Sequence, residues 1–375
     1  MKVAHVTTVH PWNDNRIYEK MVCTLSTTDI ATYYIAPKPK NNIRKTNKNI
    51  KIFWLKNKQG ILGRIQKNFE AIIILKKIGR CTVHFHDPEF IIGAVLLRIF
   101  GFDIIYDVHE DNKLGIQQKD YLPKIIRKPL ALFVALIEKI SGFLFHQVIA
   151  ERCYKSRFPN AVSVLNYPKL PDKLPDLQKY NTNKIRLIYT GTITKDRGAF
   201  SHIDIIKLIP QAELHLVGRC ENRLLNEIKE YAENENDRIR YYVKPEGFSY
   251  QELERYYLAG NWTAGLAVFP KTPHYYEKEL TKFFEYMLYG IPIVCSNFPV
   301  WENLVSQNNV GKVINPDKLD DIESILTEIH VNQTLRDNIT NNARYAVTTK
   351  YNWDGEFVKL LNLYKKIEYE KMKGC

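Results

Sequence analysis

Residues 280–296 read LTKFFEYMLYGIPIVCS. Apolar residues first recur at helical spacing, Gly290 then stops the helix, and residues 291–295 are an apolar run of strand length. A short helix running into a buried strand is the building unit of an α/β sheet. Thr281 is placed to cap this helix by accepting a bond from a free backbone N–H. Lys282 and Glu285 are three residues apart, so they share one face near its start. A helix N-terminus attracts anions, and a lysine in the first turn strengthens that attraction. A carboxylate one turn further in can only accept hydrogen bonds, which suits a pair of sugar hydroxyls. Phosphate at the helix start and ribose one turn along describe a nucleoside-diphosphate site. Glu277 precedes Glu285 by eight positions, so two glutamates bracket the helix start.

The flanking sequence repeats the same unit. Strands are expected over 2–9, 32–36, 82–86 and 103–109, with helices over 17–25, 62–78 and 91–100. Short strands at 148–150 and 163–165 close this half, and the basic stretch after residue 36 carries no strong period. Residues 166–184, NYPKLPDKLPDLQKYNTNK, contain three prolines and read as a linker. The pattern then restarts, with strands over 185–190, 213–217, 240–243 and 264–268 and helices over 201–208, 223–233 and 251–259. At 375 residues the chain is too long for one ordinary core. The expected organisation is two doubly wound parallel-sheet domains, at 1–165 and 185–350, followed by a helix in 351–375.

The net charge of +13 is unevenly placed. Residues 1–165 carry 26 Lys+Arg against 13 Asp+Glu, and the rest is balanced at 28 against 28. Between Asp29 and Glu70 there are ten basic residues and no acidic one. This asymmetry points to an anionic partner for the first half (membrane headgroups, a phosphorylated acceptor or nucleic acid) or to a plain solvated lysine surface. The six cysteines are dispersed without paired spacing, which argues for reduced thiols in a cytoplasm and against a zinc module. The N-terminal MKVAHVTTV lacks the apolar segment of a signal peptide, and no uncharged run reaches transmembrane length.

Several other segments can carry chemistry. In YTGTITKDRG (189–198), Gly191 lets backbone approach a ligand, and Arg197 can bind a phosphate through two parallel hydrogen bonds. ELHLVGR (213–219) is a strand ending at Gly218 and Arg219, a place where α/β folds bind ligands. In TVHPWNDNRIYEK (8–20), His10, Asp14 and Arg16 follow the first strand; Asp14 is equally readable as a helix cap with Arg16 as its partner. VHFHDPEF (83–90) and YDVHEDN (106–112) bring together His84, His86, Asp87, Glu89, His109, Glu110 and Asp111, a set able to hold a metal. Strand alternation puts His84 and His86 on one face. Residues 129–149 form an apolar helix preceded by Lys124, Arg127 and Lys128, readable as a core helix or as one lying on a membrane.

Two glutamates separated by seven residues, then an apolar helix, Gly-Ile-Pro and a strand, resemble the donor-site motif of family 4 glycosyltransferases, retaining enzymes of GT-B fold. The similarity extends over nearly the whole chain. His-Asp-Pro-Glu at 86–89 and Asp-x-His-Glu at 107–110 match it, and Asp14, Arg16, Ile17 and Lys20 resemble a subgroup associated with bacterial capsule or exopolysaccharide assembly. The usual Gly-Gly pair of the first loop is missing. So is the arginine after the first glycine of the 189–198 loop, where Thr192 stands, while Arg197 takes the place of the loop's lysine. Leu280 stands where a proline is common.

The resemblance implies two Rossmann-like domains facing a cleft, with a C-terminal helix returning to the first. It implies transfer of a sugar from a nucleoside-diphosphate sugar, with retention, to a saccharide or lipid-linked saccharide in surface polysaccharide synthesis. Arg197, Lys282 and the helix start at Thr281 are assigned to the leaving diphosphate, Glu285 to ribose, and Glu277 and His109 to the donor sugar. Gly191, Thr192, Gly218 and Arg219 line the donor side, and His10, Asp14, Arg16 and Glu110 the acceptor side. No metal or other cofactor is expected, since there is no Asp-x-Asp pair after a strand. The expected location is cytoplasmic, at the inner face of the membrane. A sugar-nucleotide epimerase or hydrolase of the same fold, and a basic nucleic-acid-binding protein, are the alternatives.

Overall fold

The computed structural model describes residues 1–39, 47–56, 60–109, 116, 123–176, 180 and 183–373. Glu110 and Asp111 lie outside the described residues, as do Lys40, Arg44 and Lys45 of the basic stretch. The chain divides into two units, Met1–Asn166 with Trp353–Cys375, and Tyr167–Asn352.

In the first unit, the strands β1 (Lys2–Val6), β2 (Ala31–Pro37), β3 (Ile50–Leu55), β4 (Thr82–Phe85), β5 (Asp103–Val108), β6 (His146–Ile149) and β7 (Val162–Ser163) form one parallel sheet. Their order is β3-β2-β1-β4-β5-β6-β7, so the winding reverses between β1 and β4. One face is covered by the helices α1 (Gly60–Ile78), α2 (Ile91–Ile99) and α3 (Lys124–Leu144), whose inner residues Ala71, Leu75, Ala94 and Leu97 join Val83, Phe85 and Tyr106 in the core. On the other face the C-terminal helix Trp353–Lys373 buries Trp353, Leu360 and Tyr364 against Val3, Ile105 and Val148. The Trp353 indole N–H donates to Thr24 Oγ1 at 3.0 Å, and the Glu356 carboxylate accepts the Leu165 N–H at 2.8 Å. The helix is thus fixed by polar as well as apolar contacts.

The segment after β1 departs from a simple helix. Asp14 caps it, accepting from the Arg16 and Ile17 N–H groups at 2.9 Å. The N–H groups of Tyr18 and Glu19 both reach the Asp14 carbonyl, and Asn15–Val22 winds as a wide π-helix before a single α-turn, Cys23–Leu25. π-Turns inside helices often mark functional sites.

Three expectations change. β1 ends at Val6 rather than at residue 9, because the next residues turn to bond with Asp87. The segment after residue 36 contains β3, an edge strand whose lysine-rich flanks hid it. The helix expected over 129–149 begins at Lys124, ends at Leu144 and gives way to β6, as Phe145 turns extended (φ −129°, ψ 153°).

In the second unit, β8 (Ile185–Thr190), β9 (Ala212–Arg219), β10 (Ile239–Lys244), β11 (Ala264–Ala267), β12 (Ile293–Ser296) and β13 (Gly311–Ile314) form a second parallel sheet, ordered β10-β9-β8-β11-β12-β13. The reversal lies between β8 and β11. The connecting helices are α4 (Ala199–Leu208), α5 (Asn222–Ala232), α6 (Tyr250–Leu258), α7 (Thr281–Leu288), α8 (Pro299–Asn308), α9 (Ile322–Val331) and α10 (Gln333–Thr349). Ligands of such sheets bind outside the strand C-termini at the reversal, so each unit has one such place.

Candidate active site

In the second unit that place is built around Lys282. The lysine opens the second position of α7 and is only 7% exposed. Its ammonium lies 3.4 Å from the centre of the Tyr189 ring and 5.2 Å from that of Phe269, with no hydrogen-bond partner among the described residues. Burial pushes its pKa well below the usual lysine value; the charge of Arg197 adds to this and that of Glu285 opposes it. A cation held on aromatic faces and stripped of water is poised for an incoming anion.

Backbone frames the same spot. β8 runs into Gly191 at φ +105°, where a Cβ would stand 4.0 Å from Lys282 Nζ. Gly218 at the end of β9 packs on it so tightly that a Cβ would lie 1.8 Å from the Gly191 carbonyl oxygen. The loop from Gly191 closes with Gly198 at φ +74°, which starts α4. Arg197, on the short turn before it, donates from Nε to the Tyr275 hydroxyl at 2.7 Å. Glu285, one turn inside α7, accepts from the Tyr257 hydroxyl at 2.7 Å, and that hydroxyl also lies 2.9 Å from Thr190 Oγ1. His202 of α4 accepts the Val268 N–H; burial and the nearby Lys282 push its pKa down to about 3, so it is neutral.

Of the residues expected here, Gly191, Gly218, Arg197, Lys282 and Glu285 converge. Thr192 and Arg219 stand on the loop and strand end, joined by the bond from the Ile193 N–H to the Arg219 carbonyl at 2.8 Å. Glu277 is exposed on the turn before α7. Thr281 does not cap the helix: Leu280 occupies the cap position without a side-chain bond, and Thr281 is the exposed first helical residue. The free N–H groups of that first turn are therefore not blocked by a side chain. Tyr189, Tyr257, Tyr275 and His202 were not expected. Only Tyr189 had a sequence signal, its position two residues before Gly191 at a strand end.

The reversal in the first unit gathers histidines and carboxylates. Asp87 accepts from the Thr8 N–H at 2.6 Å, from Thr7 Oγ1 at 2.9 Å and from His10 Nδ1 at 2.7 Å. Burial alone would raise its pKa, but the His10 and Thr8 bonds prevail and hold it at about 2. His109 Nε2 lies 3.1 Å from His10 Nε2. Arg16 pairs not with Asp14 but with buried Asp107, through Nε at 3.0 Å and a terminal nitrogen at 2.7 Å. Burial works against the Asp107 charge, and Arg16 with His109 and His86 overcomes it, keeping the carboxyl well below its usual range.

His84, His86 and Asp107 offer ligand atoms within 4.8 Å of one another, the geometry of a possible metal cluster. Their hydrogen bonds already commit most of those atoms. Ionised Asp107 can only accept, so His86 Nδ1 donates to it at 3.0 Å. His86 Nε2 then accepts from His5 Nδ1 at 3.1 Å, and His5 Nε2 accepts from the Tyr364 hydroxyl at 3.1 Å. That hydroxyl accepts in turn from His84 Nδ1 at 2.7 Å. Every tautomer follows from the carboxylate at one end, and only His84 Nε2 is left unpaired. Burial lowers the pKa of all three histidines, which the charge of Asp107 only partly offsets. The chain reads as a buried brace tying β1, β4 and β5 to the C-terminal helix.

Residues 172–346, nearly the whole second unit, match the family model described as glycosyl transferases group 1. No match was found among curated proteins. Among solved structures, sucrose-phosphate synthase from Thermosynechococcus elongatus is similar at a TM-score of 0.75 and 14% identity, covering 98% of this chain and 99% of that one. The Anabaena protein HepE, solved with UDP-glucose, gives a TM-score of 0.67 and 11% identity over 97% and 99% of the two chains. WaaG, a glycosyltransferase involved in lipopolysaccharide biosynthesis, gives 0.66 and 13% over 93% and 96%. The second unit therefore carries a glycosyltransferase group 1 domain, and the chain has the two Rossmann-like domains and C-terminal helix of the GT-B fold.

Proposed function

We propose that the protein is a retaining glycosyltransferase of the family 4 type. It moves a sugar from a nucleoside-diphosphate sugar to a saccharide or lipid-linked saccharide acceptor, at the inner face of a bacterial membrane and in surface polysaccharide assembly. The observation that carries this reading is the buried, unpartnered Lys282 ammonium beside the Gly191 backbone, with Arg197 adding a second cation and Glu285 one turn further along. Two cations and open helix N–H groups suit a diphosphate; a carboxylate at the next turn suits ribose hydroxyls.

In this reading the leaving phosphate takes the acceptor proton on the face from which it departs, so no enzymic nucleophile is required. The protein's part is to spread the diphosphate charge and to orient the reactants. Glu277 and His109 keep the role of donor-sugar contacts. The cations take the place that a metal fills in other sugar transferases, so the reaction is metal-independent. HepE was solved with UDP-glucose and with UDP and glucose, which makes uridine nucleotides the first to test. Incubation with UDP-sugars and then other nucleoside-diphosphate sugars, with EDTA present, is expected to release the nucleoside diphosphate at an undiminished rate. Loss of turnover in EDTA, restored by Mg²⁺ or Mn²⁺, would contradict the metal-free reading.

A further inference from the structure

The helices α1, α2 and α3 each carry a second apolar stripe on the side away from the sheet. On α1 it is Leu62, Ile65, Phe69 and Ile73; on α2, Ile92, Leu96 and Ile99; on α3, Phe133, Leu136, Ile140 and Phe143. The spacing is three or four residues throughout, so each set lies along one helix face. These side chains are well exposed: Leu62 at 75%, Ile92 at 71%, Ile99 at 75% and Phe143 at 84%. α2 packs between α1 and α3, so the three stripes share one side of the unit. The fold does not need them, because the inner faces of the same helices already fill the core. Contiguous exposed apolar surface of this kind marks an interaction site.

The exposed charges on this layer are mostly positive. Lys76, Lys77, Arg98, Lys128 and Lys139 are exposed on the three helices. Of their two acidic residues, Glu138 is buried against Arg157 and Tyr106, and half-buried Glu70 accepts the Lys56 N–H. The Lys76 ammonium lies over the Phe100 ring, 4.0 Å from its centre. Among the described residues no helix is long and apolar enough to cross a membrane. Apolar stripes edged by lysines with long stems fit the boundary between anionic headgroups and acyl chains.

We infer that the outer face of α1, α2 and α3 docks on an anionic lipid bilayer, its apolar stripes entering the interface and its lysines meeting the headgroups. The inference deepens the glycosyltransferase reading, in which a lipid-linked acceptor is met at a membrane, and moves the contact from the basic stretch before α1 to the helix layer.

Co-sedimentation of the full chain with phosphatidylcholine vesicles, with and without about a third phosphatidylglycerol, tests it. The parent is expected to sediment with the acidic vesicles only. A variant combining Ile99→Ser, Phe133→Ser and Phe143→Ser should bind them at least tenfold more weakly. One combining Lys76→Glu, Lys128→Glu and Lys139→Glu should bind at least a hundredfold more weakly, at roughly fivefold for each positive charge removed. Unchanged binding of either variant, or a parent that ignores acidic vesicles, overturns the inference. So does a parent that dimerises in solution through residues whose substitution leaves vesicle binding intact. Thermal unfolding of each variant shows that it is folded. Nucleotide binding by the same preparations shows separately whether the donor-site reading stands, since that site lies in the second unit.

Discussion

Lys282→Ala is expected to lower turnover about a hundred- to a thousandfold, or ~2.7–4 kcal/mol of lost transition-state stabilisation. In the proposed reaction the lysine lies where charge grows as the bond from sugar to diphosphate breaks, and its ammonium has no hydrogen-bond partner among the described residues. Its environment is aromatic and dry, so water cannot replace the lost ammonium at the same strength. Glu285→Gln should behave differently. In the proposed role Glu285 holds ribose, whose binding is nearly equal before and during reaction, so that change should mainly raise KM. Steady-state kinetics separate the two cases. Equal turnover in Lys282→Ala and the parent would remove the lysine from the mechanism.

Asp107→Asn should destabilise the first unit by about 3–5 kcal/mol, the usual result of leaving one partner of a buried ion pair behind. Arg16 would be stranded, and His86 and the tautomer order beyond it would lose their acceptor. Amide hydrogen exchange of β1, β4 and β5 should show the opening free energy falling by that amount; unchanged protection would contradict the brace. The same network makes the unit acid-sensitive. His5, His84 and His86 have folded-state pKa values below the unfolded value of about 6.5, so the unfolded chain binds more protons as the pH falls through that value. Stability is fully present above pH ~6.5 and is lost below it, by about 1.4 kcal/mol per pH unit for each histidine. A flat melting temperature between pH 7 and 5 would show that these histidines are not held neutral.

The doubled parallel sheet was legible because apolar runs of strand length alternate with helical spacing, and because residues 166–184 interrupt them with prolines. β3 escaped notice because it lies at the sheet edge with only its end residues buried. The end of α3 was invisible because apolar residues continue past Leu144, while the nearest glycine, Gly142, lies within the helix. At the candidate donor site, the glycines and charged residues announced themselves through spacing. What could not be read was the dry aromatic seat of Lys282, since Tyr189 and Phe269 are far from it in sequence and meet it only through the register of β8 beside β11. Asp107 likewise lay within a quoted motif, but its role as the shared acceptor of Arg16 and His86 needs β1, β4 and β5 side by side.

Isothermal titration of UDP, GDP and ADP at about pH 9, in two buffers of different ionisation enthalpy, tests the central claim most directly. Burial holds the Lys282 pKa well below the usual lysine value, and a bound diphosphate would raise it. One of these nucleotides should therefore bind with net proton uptake and with affinity that rises as the pH is lowered, and Lys282→Met should abolish the uptake. Binding of none of the three, or binding whose proton count is the same in parent and Lys282→Met, would contradict a diphosphate site at Lys282.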